Sequence, residues 1–232
     1  MAVCVGSRPR NAHEVDVEAW TVARWEATFP DWPVCVADSG DGPYNRSAAR
    51  NVAAAQAGPG DGLGFANADT TFREPAEMAA AVAHASVGGW VLCESYVETS
   101  QAWTVAALGS DPGAPLDDPT APGYDRLVSE SPAGWQVLPR VWFEDVGGWD
   151  EGFGSGWGWE DKAFMNAVDV LCGSHVRVGW AVHLWHPRGR ELSPRANGAN
   201  RARWSRLYGR ALGRSGADRV RAMRSATRGV RL

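Results

Sequence analysis

The sequence reads AVCVG at residues 2–6, PVCVA at residues 33–37 and GLGFA at residues 62–66. Each of these short apolar runs is typical of a buried β-strand. Between them, residues 14–29 and 45–56 have the composition and spacing of helices, with Asn45 as the N-cap of the second one. Because strands and helices alternate, the sequence predicts an α/β fold in which helices flank a mostly parallel central sheet.

Polar side chains follow two of these predicted strands. Asp38 comes after the second strand, and Asn67 and Asp69 come directly after the third. Ligands of open α/β sheets bind beyond the carboxyl ends of the strands. Two oxygen-bearing side chains two residues apart can face one ligand, as a divalent cation with a diphosphate requires. Asx-turns use the same residues, so this motif alone leaves a turn and a ligand site as equal alternatives.

A segment rich in glycine and tryptophan, GGWDEGFGSGWGWED, occupies residues 147–161. Glycines let the backbone approach a ligand closely, and tryptophans offer flat faces to sugar rings. The segment ends in Glu160 and Asp161, which open a predicted helix over residues 160–171 and offer a general base. Acids also stabilise helix N-termini without any chemistry. The density of glycine and tryptophan just upstream favours an active site.

Two histidines, His183 and His186, lie at the end of a predicted strand over residues 175–185. A single histidine on a strand is more often a structural residue than a ligand. Two imidazoles three residues apart, in a chain that also offers Asp69 after a strand, favour a metal site.

The composition is that of a globular protein, and it gives no sign of a membrane span or a secretory signal. The chain has 232 residues, of which 44% are hydrophobic and 22% are charged, which is ordinary for a globular protein. It contains no apolar stretch of about 18 residues, and its N-terminus has no secretory signal. We therefore expect neither a membrane span nor secretion. The four cysteines form no C-x-x-C pair, which predicts reduced, buried thiols.

The charge is distributed unevenly along the chain. Residues 1–200 carry 13 basic and 26 acidic residues, whereas residues 201–232 carry ten arginines and one acid, Asp218. This asymmetry predicts one domain over residues 1–200 and a basic helical extension over residues 201–232. The extension can contact a polyanion such as DNA, lie on an anionic membrane, or pack on the acidic body. The sequence does not rank these three alternatives.

Taken in order, these motifs resemble the GT-A glycosyltransferases, and most closely the galactosyltransferase family with its polypeptide N-acetylgalactosaminyltransferase relatives. PYNRSAARNV at residues 43–52 resembles the family's Asn-Arg-Ala…Asn helix, and Asn67-Ala68-Asp69 lies where the family has D-x-D. Residues 147–161 resemble its G-G-F-D…G-W-G-G-E-D signature, the most specific match. The histidine pair resembles its closing metal ligands. The similarity covers about residues 2–190.

The resemblance implies a Rossmann-like fold and an inverting, UDP-sugar-dependent transferase. It implies that Asp161 is the catalytic base and that Glu160 holds the acceptor and donor sugars. The implied donor-binding residues are Arg8, Asp38, Arg46, Asn67, Asp69 and Trp157. The implied metal, Mn²⁺ or Mg²⁺, is held by Asp69 and His186, with His183 as a further ligand. The acceptor is then a hydroxyl of a glycan or a protein.

Two departures from the family pattern bear on this function. Asn67 replaces the first D-x-D carboxylate, and Trp159 stands where the family has a second glycine before Glu-Asp. Two alternatives to glycan or protein transfer are the same chemistry on a hydroxylated base in DNA, and a sugar-binding module without turnover. The resemblance and the lack of an anchor predict a cytoplasmic enzyme of a bacterium or of a phage-infected host.

Overall fold

The computed structural model describes residues 1–60, 62–118, 124–154, 158–187 and 194–227. A six-stranded main sheet has the order β2-β1-β3-β8-β5-β9. Its strands are β1 (Ala2–Gly6), β2 (Val34–Ala37), β3 (Gly62–Asn67), β5 (Val91–Leu92), β8 (Gln136–Pro139) and β9 (Val176–Arg177). β1 pairs in parallel with both β2 and β3, whereas β8 is antiparallel to β3 and β5. The predicted α/β fold with a central sheet flanked by helices is confirmed.

A second sheet, with the order β4-β10-β6-β7, was not predicted. Its strands are β4 (Thr70–Phe72), β6 (Ser95–Thr99), β7 (Tyr124–Ser129) and β10 (Trp180–His183). The single strand predicted over residues 175–185 is wrong, because β9 and β10 belong to different sheets. Gly179 lies between them at φ +62, where a Cβ would come within 2.6 Å of the Glu77 side chain. The chain can turn there only because the residue is glycine.

Helices cover the main sheet and form the C-terminal part of the chain. They are α1 (Ala12–Thr28), α2 (Arg46–Gln56), α3 (Pro75–Ser86), α4 (Gln101–Leu108), α5 (Arg140–Asp145), α6 (Glu160–Leu171), α7 (Pro194–Trp204), a π-helical turn (Ser205–Gly209), α8 (Arg210–Leu212) and α9 (Gly216–Thr227). The Asn45 side chain accepts from the Ala48 amide and caps α2, as predicted. β8 ends at Pro139, and α5 begins at the next residue, Arg140. Within the described ranges, no helix has the length and apolarity needed to span a bilayer.

The two faces of the main sheet support two hydrophobic clusters. Along β1, Ala2 and Cys4 belong to one cluster while Val3 and Val5 belong to the other. This alternation follows from the period of two in a strand, and it shows that β1 is covered on both sides. The described tryptophans with little exposure are Trp20, Trp25, Trp90, Trp135 and Trp149. The glycine- and tryptophan-rich segment therefore supplies a core residue at Trp149, where we had expected an exposed face for a sugar.

The C-terminal helices pack into the same cluster as the body of the protein. Tyr208, Ala211 and Met223 are buried there, and α9 lies against α6. The polar outer side of α9 remains exposed to solvent. The domain boundary after residue 200 stays a prediction, and the described part of the extension shares its core with the residues before that boundary.

Met223→Ala tests whether α9 contributes to stability. Met223 has 0% exposure, so truncation removes buried apolar volume and should lower the free energy of unfolding by about 2–5 kcal/mol. Val220→Ala on the same helix is the matched control. Because Val220 is 38% exposed, its truncation should cost less than about 1 kcal/mol. Urea titrations of the two variants measure both values, and equal small losses would mean that α9 is a dispensable appendage.

Candidate active site

The site lies at the carboxyl ends of β1, β2 and β3. Arg8 follows β1, and its Nε donates to both carboxylate oxygens of Asp38, at 2.9 and 2.8 Å. Its Nη1 also donates to the Gly42 carbonyl at 2.6 Å, and its guanidinium lies 5.6 Å from the centre of the Tyr44 ring. Asp38 and Arg8 thus form one partly exposed polar surface, as expected for residues that follow neighbouring parallel strands.

A carboxylate and two imidazoles converge beside this edge. The Asp69 Oδ2 atom lies 3.3 Å from Nε2 of His183 and 3.1 Å from Nε2 of His186. β10 pairs antiparallel with β4 and places His183 opposite Thr70, the residue after Asp69. The Leu184 amide donates to the Asp69 carbonyl at 2.8 Å and holds the two segments together. The second sheet therefore assembles this cluster.

The geometry of the cluster fits one metal ion. The ligand atoms of Asp69, His183 and His186 all lie within 4.8 Å of one another. Two ligand atoms that each lie about 2.1 Å from one ion, with a right angle between the two bonds, are about 3 Å apart. The distances from Asp69 Oδ2 to the two histidine Nε2 atoms are close to this value. Two imidazoles with one carboxylate suit Mn²⁺ and other transition ions better than Mg²⁺, which prefers oxygen ligands.

The three side chains also interact electrostatically. Burial acts to raise the pKa of Asp69, but the charge of His183 and hydrogen bonds from both histidines outweigh burial and hold that pKa well below its ordinary range. The hydrogen bond to Asp69 raises the pKa of His186 above its ordinary value, and the nearby Glu14 acts in the same direction. Glu14 Oε1 lies 3.9 Å from Nδ1 of His186. No local pattern could have identified Glu14, because 172 residues separate it from this histidine.

Glu160 and Asp161 open α6, and each carboxylate forms an ion pair with an arginine of α2. Arg46 donates to Glu160 Oε1 at 2.8 Å, and Arg50 donates to Asp161 Oδ1 at 2.7 Å. Burial and the charge of Asp161 raise the pKa of Glu160, while Arg46 acts in the opposite direction. Burial lowers the pKa of Arg46, but the adjacent carboxylates outweigh burial and raise it above its ordinary value. Arg46, expected to line a uridine pocket, thus contacts Glu160.

Arg50 connects the two halves of the site and was not singled out from the sequence. Its Nη1 binds Asp161, and its Nη2 donates to Oδ1 of Asn67 at 2.7 Å. The guanidinium lies over the Trp149 ring, 4.1 Å from its centre. Asn67 is two residues before Asp69, so this arginine joins the carboxylate pair to the candidate metal cluster. The spacing of four between Arg46 and Arg50 was the available signal, because it places both on one helix face.

The residues just before Glu160 have an unusual backbone. Trp159 is the N-cap of α6 and adopts φ +80, a conformation that costs a residue with a Cβ about 1–2 kcal/mol. Its indole packs against Trp204 with ring centres 5.2 Å apart, and Lys162 lies over both rings. The predicted donor-binding residue Trp157 lies outside the described residues.

Residues of the C-terminal segment bind Asp150, which lies in the glycine- and tryptophan-rich segment before α6. Arg203 donates to the two carboxylate oxygens of Asp150 at 3.0 and 2.7 Å, and the Tyr208 hydroxyl donates at 2.9 Å. Asp150 is buried and also accepts from the Gly152 amide. A Cβ at residue 152 would come within 2.2 Å of the Arg203 guanidinium, so any other residue at this position would displace that guanidinium.

The comparisons with known proteins give one informative result. No protein family and no curated protein matches the sequence. The fold is similar to that of the catalytic domain of Drosophila β1,4-galactosyltransferase 7, solved in complex with xylobiose. The TM-score is 0.53 at 13% sequence identity, and the similarity covers 87% of this chain and 79% of that chain. The protein therefore has a galactosyltransferase-like mixed α/β fold of the GT-A kind.

Asp69→Asn tests the metal cluster directly. Asp69 is the only carboxylate among the three candidate ligands, so its removal should lower Mn²⁺ affinity by about 100-fold or more. Removal of a group that only hydrogen-bonds to a metal ligand already lowers affinity by about 10- to 100-fold. Isothermal titration with Mn²⁺ and Mg²⁺ measures the affinities, and Mn²⁺ should bind more tightly in the unmodified protein. Asp16→Asn, on the exposed side of α1, is the control and should bind as the unmodified protein does. Equal Mn²⁺ affinity in both variants would contradict the site.

A second prediction compares how much Arg50 and Arg46 each contribute to the free energy of unfolding. Both pair with carboxylates at the start of α6, but the Arg50 side chain is 2% exposed and that of Arg46 is 29% exposed. Arg50→Gln leaves a buried carboxylate without its cation and should lower the free energy of unfolding by about 3–5 kcal/mol. Arg46→Gln should cost less, because Glu160, although only 5% exposed, has a raised pKa and can take up a proton once its cation is removed. Equal costs in denaturant titrations would refute the assigned role of Arg50.

Proposed function

We propose that the protein is a metal-dependent inverting glycosyltransferase that moves a hexosyl or N-acetylhexosaminyl group from a UDP-sugar to an acceptor hydroxyl. One observation carries the proposal: the Asp69–His183–His186 cluster and the Asp161 carboxylate lie at opposite ends of the bridge made by Asn67 and Arg50. A transferase needs a metal for the leaving diphosphate and a carboxylate for the acceptor proton, in one site. The fold supports the same class.

The donor end of the site is assigned to the strand edge. Asp38 and Arg8 offer a carboxylate and a guanidinium to the polar edge of a nucleoside, and Tyr44 packs beside Arg8. Asp69, His183 and His186 would hold Mn²⁺, which supplies positive charge to the diphosphate when bound. Asn67 is neutral and already accepts from Arg50, so Asp69 carries the only negative charge of the Asn67-Ala68-Asp69 motif.

The acceptor end is assigned to the start of α6. Asp161 accepts one hydrogen bond from Arg50 through Oδ1, and its other oxygen would take the proton from the acceptor hydroxyl. Glu160 is held by Arg46 and would position the sugars. The acceptor is a glycan or a protein hydroxyl in this proposal.

A sugar-binding module without turnover is the second candidate. The observation that favours it is the ion pair between Asp161 and Arg50, because the guanidinium occupies one of the two carboxylate oxygens that could receive a proton. Binding alone, however, gives no reason for a carboxylate–imidazole cluster that fits a transition metal. The two functions differ in one measurable respect, the release of nucleotide.

Release of nucleotide from a panel of sugar nucleotides tests the function. With Mn²⁺, we expect UDP release from a UDP-hexose or UDP-N-acetylhexosamine, faster with an acceptor, and no release in excess chelator. Asp161→Asn keeps the shape of the side chain but cannot accept a proton, so turnover should fall by about 100-fold or more while donor binding is kept.

Glu160→Gln is the matched variant on the adjacent carboxylate. It should change the KM for the acceptor more than kcat, since Glu160 is assigned a positioning role. Turnover that survives chelation would reject the metal-dependent mechanism. Binding of UDP-sugar without release of nucleotide, in the presence of Mn²⁺ and every acceptor tested, would favour the binding module.

A further inference from the structure

A groove of about 380 Å³ lies between α9 and the segment formed by the π-helical turn and α8. Four arginines line it: Arg206, Arg210, Arg214 and Arg221. All four are exposed. None of the residues assigned to the metal cluster or to the carboxylate pair lines this groove, so it is a separate feature of the surface.

The arginines of the groove differ from those elsewhere in the chain. Arg8, Arg46 and Arg50 each pair with a carboxylate of the active site. Among the described residues, Arg206, Arg210 and Arg214 have no acidic or hydrogen-bonding side-chain partner, and only Arg221 pairs with an acid, Asp218. Asp218 also lines the groove, but it is paired with Arg221. The other three guanidinium groups therefore share the groove without a paired counter-charge and repel one another, and an external anion would relieve this repulsion.

The groove is positive on a protein that is otherwise acidic. Residues 1–200 have twice as many acidic as basic residues, so attraction of a polyanion must be local to the C-terminal segment. Arg206 lies in the π-helical turn, Arg210 is the first residue of α8, and Arg214 follows the end of α8. Several guanidinium forks in one groove suit a polymer that presents successive phosphates, because each fork can bind phosphate oxygens bidentately.

We propose that this groove binds the phosphodiester backbone of nucleic acid without reading its sequence. A membrane is a poorer match, because a helix that lies on a bilayer needs an exposed apolar face. The apolar side of α9 is instead buried through Met223 and Ala226. An acidic protein is also a poorer match, since the groove has no aromatic lining residue to anchor such a partner.

The groove is also attached to the catalytic body. Arg203 and Tyr208, which belong to the same C-terminal segment, bind Asp150 in the glycine-rich segment before Glu160. A nucleic acid in the groove would therefore be held on a fixed surface of the enzyme. Binding there does not require the proposed transfer reaction, and the two proposals can fail separately.

The test compares two double variants of equal net charge. Arg206→Gln with Arg210→Gln removes two charges from the groove, and Arg219→Gln with Arg224→Gln removes two exposed charges from α9 that do not line it. Fluorescence anisotropy with a labelled DNA duplex of arbitrary sequence, over a series of salt concentrations, measures affinity. The groove variant should bind about tenfold more weakly or worse, and its slope of log K against log salt should be smaller by about 2.

The control pair should change affinity by less than about threefold, with a nearly unchanged slope. Arg206→Lys with Arg210→Lys keeps the charge and should retain the salt slope, which guards against an effect of the glutamine variant on folding. Thermal melts of all variants should agree with that of the unmodified protein. Nucleotide release without DNA should be the same in every variant, because none of these arginines belongs to the assigned active site.

Three results would overturn the proposal. Equal losses in the groove and control pairs would show that diffuse charge, and not the groove, attracts DNA. Binding to vesicles of phosphatidylserine and phosphatidylcholine but not to DNA would assign the surface to a membrane. Failure of the unmodified protein to bind DNA at low salt would also reject it. DNA binding without nucleotide release would leave this proposal intact and reject only the proposed transferase.

Discussion

The rest of the site depends on the hydrogen bonds that the buried guanidinium of Arg50 donates to Asp161 and Asn67. It binds Asp161 and Asn67 and stacks on Trp149, so it joins α2, α6 and the end of β3 through one side chain. A buried charge of this kind is costly unless every partner is present, and removal of one partner is strongly destabilising. The position of the candidate base is therefore set by the same residue that fixes Asn67 beside the metal cluster. Mutations of Arg50 and of Asp161 should not behave independently.

The second constraint on the site is the four-stranded sheet, whose strand β10 ends at His183. His183 reaches Asp69 because β10 pairs with β4 in a register that places it opposite Thr70. In an antiparallel pair, a slip by one residue would turn every side chain of β10 to the other face and remove His183 from the cluster. The cluster therefore depends on backbone pairing between segments more than 100 residues apart in sequence. The pairing helps to bring the three ligand atoms of the cluster within 4.8 Å of one another.

Much of the fold could be predicted because its signals are local. The alternation of apolar and polar residues gave the strands and helices of the first 70 residues, and α6 lies where its composition predicted. The second sheet could not be predicted, since β4 has only three residues and its pairing is non-local. Tryptophan is equally suited to a core and to a sugar site, which is why the burial of Trp149 was missed. The ion pairs between α2 and α6 connect residues more than 100 positions apart, and no local pattern encodes them.

Trp159, which has a left-handed backbone conformation, links the C-terminal segment to the start of α6. A residue with a Cβ holds φ +80 only where surrounding contacts outweigh the steric cost. Those contacts come from Trp204 and Lys162, and Trp204 lies in the chain between Arg203, which binds Asp150, and the first arginine of the basic groove. One short stretch thus supports the strained turn before Glu160 and also presents the groove. Where the galactosyltransferase signature has a glycine that needs no support, this chain has a tryptophan whose conformation depends on the basic extension. The extension is consequently part of the structure that supports the start of α6, where we propose that the acceptor binds, and this role does not depend on the proposed binding of nucleic acid to its outer surface.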